Sequence, residues 1–294
     1  MIEILSAGPF STVQDLGRPG LGALGVGASG AADRGSLRLA NRLVGNPEWA
    51  AALEVTLGGL RARLSATTVV ALTGAPAQLR LAGRDAGAYG PIDVPAGAEL
   101  EVGRPWAGLR SYLGVRGGIA VRPVLGSRST DVLAGLGPPI VRDGDRLPVG
   151  ADTVGLPNVD VAPAPAYASE VELRVLLGPR DDWFTPEAVA TLSAAAYTVT
   201  PESNRIGIRL SGPALNRAVT RELPPEGMVT GALQVPPNGQ PVLFLADHPV
   251  TGGYPVIGVV LANDIGHAAQ ARPGDVIRFR AVNRPDWPFH SNAR

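Results

Sequence analysis

Thirty-eight glycines and 28 prolines are spread along the whole chain and interrupt it too often for a domain built of long helices. Proline fixes φ and removes a backbone donor, and glycine in an element interior costs entropy, so short strands and turns are what this punctuation permits. The turns carry their own chemistry. Residues 95–102, 142–147 and 272–279 each place a glycine where a tight turn needs positive φ and then alternate apolar with polar residues, the period of a half-buried strand. Two of these units share a Gly-Asp pair, at 144–145 and 274–275, which points to two similar halves. The short β-branched runs 67–72 and 256–262, bounded by turn formers, read as buried strands.

At 294 residues the chain exceeds the usual size of one core. The division predicted is a β domain over 1–150, a Pro/Ala-rich linker over 151–168 that carries Pro157, Pro163 and Pro165, and a second β domain over 169–294. Two helices are expected. The first is capped by Asp33 and ends at Gly45; the second has Thr185 as N-cap and Pro186 at its first position, and runs to about Ala195.

Composition removes several chemistries. Acidic and basic residues number 26 each, so no uniform field draws the chain to nucleic acid or to an anionic membrane. The absence of cysteine excludes disulfides, thiolate metal sites and a cysteine nucleophile. Every basic residue is arginine, so a P-loop lysine, a Schiff base and an attached biotin are excluded as well. The first residues lack a charged n-region and a long apolar stretch, and no window is long enough to span a bilayer; a cytoplasmic protein is expected.

Gly25-Val26-Gly27-Ala28-Ser29-Gly30 matches a dinucleotide fingerprint, with Glu54 near the ribose-binding distance, but the residues before it cannot form the hydrophobic strand that fingerprint requires. Two readings of the loop stay open: an anion-binding turn beside Arg18 and Arg34, or a purely structural loop. The three histidines lack ligand spacing, so no metal site is expected. His290 lies in a polar tail read as frayed. His248 follows Asp247 at the end of an apolar strand and precedes a glycine turn, a placement that suits a reacting group and a satisfied loop histidine equally. Gln14, Asp15 and Arg18 on one turn and Arg128 and Asp131 on another put guanidinium groups beside acceptors, suited to capturing a carboxylate or to tying loops together.

Several stretches together resemble the allophanate hydrolase subunit 2 family, which includes the C subunit of 5-oxoprolinase, Kip-type antagonists of a kinase inhibitor and the carboxyltransferase domain of urea carboxylase. The first half contributes 8–20 (GPFSTVQDLGRPG), 29–34 (SGAADR), 39–46 (LANRLVGN), 52–59 (ALEVTLGG), 112–118 (YLGVRGG) and 125–131 (LGSRSTD). The second half adds 203–207 (SNRIG), 231–237 (GALQVPP), 246–248 (ADH) and 251–255 (TGGYP). The pattern departs at His248, where arginine is the commoner residue, and at Ile206 and Ile208, where methionine and aromatics are frequent.

The resemblance implies a mainly β fold of two cyclophilin-like β-barrel domains with a few short helices. It also implies an enzyme component that opens 5-oxoproline to glutamate at the expense of ATP, with the Kip-inhibitor-type B subunit and the A subunit of 5-oxoprolinase as partners. The alternatives within the family are a regulatory binding protein without chemistry of its own and a carboxyltransferase component of urea breakdown; no biotin is carried by this chain. On this reading Asp247, His248, Asp15 and Asp131 are the candidate catalytic residues. Gln14, Arg18, Asp33, Arg34, Arg128, Asn204, Arg205, Gln234 and Tyr254 are the candidate substrate-binding residues.

Overall fold

A computed structural model describes residues 1–282; the tail that contains His290 lies outside the described residues. The first half builds two antiparallel sheets from the short strands that the turns delimit. One has six strands in the order Arg146–Leu147, Ile2–Ala7, Leu60–Leu64, Glu99–Val102, Leu79–Leu81, Arg84–Asp85. The other has five, in the order Phe10–Gln14, Ala52–Thr56, Arg110–Val115, Thr68–Gly74, Ile92–Val94. Alternation places Ile2, Ile4, Leu60, Leu64 and Leu100 of the first sheet against Val13, Leu53, Val55, Val70 and Leu113 of the second, in one buried cluster.

The second half closes seven strands into a barrel. Closure is made by parallel pairing of Glu170–Leu177 with Val276–Ala281, in register from Glu170 opposite Val276. Leu173, Tyr197, Leu210, Leu233, Leu243, Ile257 and Phe279 fill its interior. The fold is thus mainly β with a few short helices, as the glycine and proline punctuation requires. Among the described residues no helix is long and apolar enough to cross a membrane.

Both predicted helices form. Arg34–Leu43 starts at an Asp33 cap whose side chain accepts from Ser36 N, and it buries Leu37, Ala40 and Leu43. Pro186–Ala194 starts at Thr185, whose hydroxyl accepts from Ala188 N. The two Gly-Asp turns are built alike. Gly144 and Gly274 have φ of 85° and 93°. Asp145 accepts from Arg142 N and Asp275 from Arg272 N, each at 2.8 Å. Residues 153–169, between the last strand of the first half and the first of the barrel, contain neither helix nor strand.

Candidate functional site

The two halves meet over a set of buried polar groups, and Arg205 is at its centre. It lies on the segment leading into the barrel strand Gly207–Ser211 and is 2% exposed. Its Nε donates to Asp247 Oδ2 at 2.9 Å and its Nη2 to Asp247 Oδ1 at 3.0 Å, a bidentate fork. Nη2 also donates to Gly30 O at 2.6 Å, and Nη1 donates to Glu54 Oε1, so one guanidinium from the second half holds the backbone and a carboxylate of the first. Burial disfavours the charged guanidinium, but Glu54 and Asp247 outweigh it and raise the Arg205 pKa above its ordinary value.

Glu54 lies on the interior strand Ala52–Thr56, paired on one side with Phe10–Gln14 and on the other with Arg110–Val115, which carries Arg110 and Tyr112. Its Oε2 accepts from Ala32 N at 3.0 Å and from the Tyr112 hydroxyl at 2.8 Å, and Arg110 Nε lies 3.6 Å from Oε1. Burial alone would raise its pKa; the Arg205 and Arg110 charges reverse that and hold the carboxyl below its ordinary value. The Tyr112 hydroxyl, whose pKa burial pushes well up, donates to Glu54 and accepts from Asp33 N at 2.8 Å.

Asp247 completes its shell with Ser29 Oγ at 2.6 Å and Val132 N at 3.2 Å. Ser29 adopts φ of 51°, a left-handed conformation rare outside glycine, and Asp247 holds its hydroxyl. Asp247 therefore joins the barrel to both the glycine loop and the 130–132 segment. His248 makes no hydrogen bond to Asp247 among the described residues. It stacks on Phe244 and places Nδ1 2.8 Å from Pro249 O, a contact in which the Nδ1–H tautomer donates and leaves Nε2 as the basic nitrogen.

Asp15 ties the two arginine-bearing turns together. Its carboxylate accepts from Ser127 Oγ at 2.6 Å, Ser129 Oγ at 2.5 Å, Gly17 N at 2.8 Å and Arg128 N at 2.6 Å. Arg18 is buried, donates from Nη2 to Ser129 O at 2.5 Å, and has Nη1 3.8 Å from Asp131 Oδ2 without a hydrogen-bond partner among the described residues. Asp131 caps its own turn by accepting from Leu133 N and Ala134 N. A Cβ added at Gly27 would lie 3.5 Å from His248 O and 3.8 Å from Asp131 Oδ2, so the glycine loop passes between the histidine and the Arg18–Asp131 pair.

The remaining candidates are placed as follows. Gln14 donates to Thr130 O at 2.9 Å, beside Ser29, and its Oε1 is buried without a partner among the described residues. Arg128 donates from Nε to Val121 O at 2.9 Å. Asn204 folds back on Ile206 N at 2.8 Å as a turn residue. Gln234 donates to Tyr254 O at 3.2 Å, and Arg217 lies over the Tyr254 ring. No hydrogen bond links Asn204, Gln234 or Tyr254 to Arg205 or Asp247 among the described residues. Sequence reasoning missed Glu54 as a buried ion partner, together with Ser29, Arg110 and Tyr112. It also missed Gln270, whose amide donates to Asp33 Oδ2 and Arg110 O and accepts from Leu109 N and Arg110 N. Their signal is a polar residue inside an apolar strand, as at Glu54 and Tyr112.

The helix start that follows the glycine loop has its amides engaged by the protein itself. The N–H groups of Ala31, Ala32 and Asp33 are taken by Asp15 O, Glu54 Oε2 and the Tyr112 hydroxyl, and Asp33 itself occupies Ser36 N. Gly30 serves close backbone approach, since a Cβ there would fall 2.8 Å from Gly17 N. On the helix side of this loop opens a groove of about 1000 Å³ between the halves. Ala31, Ala32 and Ala246 place its wall next in sequence to Gly30 and Asp247, while Asp33, Arg34, Arg38, Tyr167, Asn263 and His267 bring polar groups among the apolar lining residues.

Residues 24–281 match the family model of the carboxyltransferase domain, subdomain A and B. The chain is 39% identical to the C subunit of 5-oxoprolinase from Escherichia coli over 95% of its own length and 90% of that protein. It is 34% identical to urea amidolyase of Saccharomyces cerevisiae over 95% of its length but only 16% of that protein. The crystal structure of K. lactis urea amidolyase superposes with a TM-score of 0.89 at 30% identity, and the match covers 96% of this chain and 19% of that one. A match that runs through both halves, over nearly every strand that frames the Arg205 junction, makes this chain a member of the carboxyltransferase domain A and B family.

Proposed function

We propose that this chain is the C subunit of an ATP-dependent 5-oxoprolinase, the part of a multi-subunit hydrolase that binds 5-oxoproline for opening to glutamate. The observation that carries this reading is the nearly end-to-end match to the corresponding 5-oxoprolinase polypeptide, against a match to only about a sixth of the urea amidolyase. The partners proposed are the A subunit and the Kip-inhibitor-type B subunit of that enzyme. ATP is proposed as the co-substrate of the whole assembly. The N–H groups of Ala31, Ala32 and Asp33, at the start of the helix that follows the glycine loop, are already paired and are not free to take a phosphate.

In the reaction, water adds to the lactam carbon, the C–N bond breaks, and the ring nitrogen leaves with a proton as the amine of glutamate. A base for water and donors for the carbonyl oxygen are needed. We assign the base to His248 Nε2. Arg18, fully buried with Nη1 3.8 Å from Asp131 Oδ2, is a positioning residue that holds the two arginine-bearing turns in place. Asp247, with both oxygens engaged by Arg205, Ser29 and Val132 N, is a positioning residue that fixes the segment carrying His248.

The test is co-expression with candidate partners of the A and B types, followed by an assay of ATP-dependent glutamate release from 5-oxoproline. The expected result is turnover that falls about 10²-fold or more in kcat for His248→Gln, with KM little changed. A stable complex without turnover would favour the regulatory member of the family. Carboxylation of urea with separate biotin proteins would favour the carboxyltransferase reading.

A further inference from the structure

Helix Arg34–Leu43 is electrostatically odd at its start. Its first residue is an arginine and its first turn holds no acidic residue, although the N-terminal end of a helix disfavours cations. Arg38 stands four residues on, one turn above Arg34, and like charges at that spacing repel. Arg38 has Glu48 at 3.5 Å, but Arg34 makes no ion pair among the described residues. Its one hydrogen bond among them is a long contact from Nη2 to Ser29 O at 3.4 Å. The nearby carboxylates are already committed: Asp33 to Ser36 and Gln270, and Asp15 to Ser127, Ser129 and two backbone amides. Partial desolvation by the groove walls, then the Arg38 charge, lower the Arg34 pKa, against a smaller opposing effect of Asp15.

The surroundings define what would relieve this charge. Arg34 and Arg38 project from one wall of the groove between the halves, and Leu39, Leu176, Val259 and Ile265 supply apolar surface around them. A ligand with a small apolar body and one anionic end matches that lining, and the planar guanidinium fork takes a carboxylate through two parallel N–H groups. We propose that Arg34, supported by Arg38, is the carboxylate anchor of the substrate groove and selects lactams that bear a carboxylate over those that do not. The assignment rests on the 5-oxoproline reading for the identity of the ligand, but the anchor can be tested without turnover.

Two measurements decide it on the full chain. In direct calorimetric titration, wild type is expected to bind 5-oxoproline and to bind the uncharged 2-pyrrolidinone at least about tenfold more weakly, while Arg34→Gln binds both alike and Arg34→Lys falls between. In the assembled enzyme, Arg34→Gln is expected to raise KM for 5-oxoproline about tenfold with kcat nearly unchanged. Arg34 is exposed on the first helical turn, and an unchanged thermal melt checks that the variant is folded. Equal binding of 5-oxoproline by wild type and Arg34→Gln, or no binding by wild type at millimolar ligand, overturns the anchor. An active assembly with an unaltered KM in the variant overturns it while leaving the proposed function intact. Absence of turnover in wild type together with Arg34-dependent binding does the reverse. Inorganic phosphate is the competing probe: Arg34-dependent binding of phosphate but not of 5-oxoproline marks a phosphate site and refutes the carboxylate assignment.

Discussion

Arg205 carries two buried carboxylates at once, and the physics of such a triad is asymmetric. Its net contribution over an apolar replacement of the whole set is small, because desolvation of three charges offsets their attraction. Removing only the cation is different, since Glu54 and Asp247 are then left buried and unpaired. Arg205→Met is therefore expected to destabilise the protein by about 3–5 kcal/mol, measured as a shift of the denaturant midpoint at constant slope. A shift below about 1 kcal/mol would mean that water reaches the junction and screens the carboxylates. The identity of Arg205 and Asp247 as polar residues beside glycines was legible in the sequence. Their mutual fork was not, because 42 residues separate them and only the antiparallel pairing of Gly207–Ser211 with Val242–Phe244 brings their segments side by side.

At the scale of elements, the helix Arg34–Leu43 shows how much local chemistry sequence exposes. Its cap, its end and its buried stripe all follow from side chains within one or two turns, which is why they were predictable. The cap has a second task that no local rule reveals: Asp33 Oδ2 also accepts from Gln270 of the barrel at 2.9 Å. Asp33→Ala is expected to cost more than the roughly 1–2 kcal/mol of an ordinary cap. Asp33→Asn keeps the capping oxygen but lacks the charge, and should recover most of the helix and little of the tie to Gln270. Hydrogen exchange of the first helical turn reads the former; protection of the Leu109 and Arg110 amides, which donate to Gln270, reads the latter.

For the whole molecule, the junction predicts an acid response. Glu54 has a pKa in the folded state below its ordinary value of 4.5. The unfolded chain then binds the proton more readily, so the stability from ionised Glu54 is complete above that ordinary value and is lost as pH falls through the lowered one. Wild-type unfolding free energy should decline in that window. The decline should be shallower by up to one proton's worth of slope in Glu54→Gln, whose stability is lower above that window, where Arg205 loses a charged partner, and converges on wild type below it. Asp264 and Glu226, held low by hydrogen bonds from Arg174 and Arg180, contribute equally to both proteins, so the difference isolates Glu54. Identical slopes would show that Glu54 is not ionised at the junction.

The sequence by itself determined the β class, the two capped helices, the paired Gly-Asp turns and the exclusion of lysine and cysteine chemistry. Each of these depends on neighbours in the chain or on a residue type that is simply missing, so no long-range geometry is needed. Tertiary structure alone decided that Glu54 is an ion partner and that a groove opens beside Arg34. Those features join residues from opposite halves, 151 positions apart for Glu54 and Arg205. A charge that looks solvated in sequence becomes buried, paired or exposed to a ligand only when the two halves close on it.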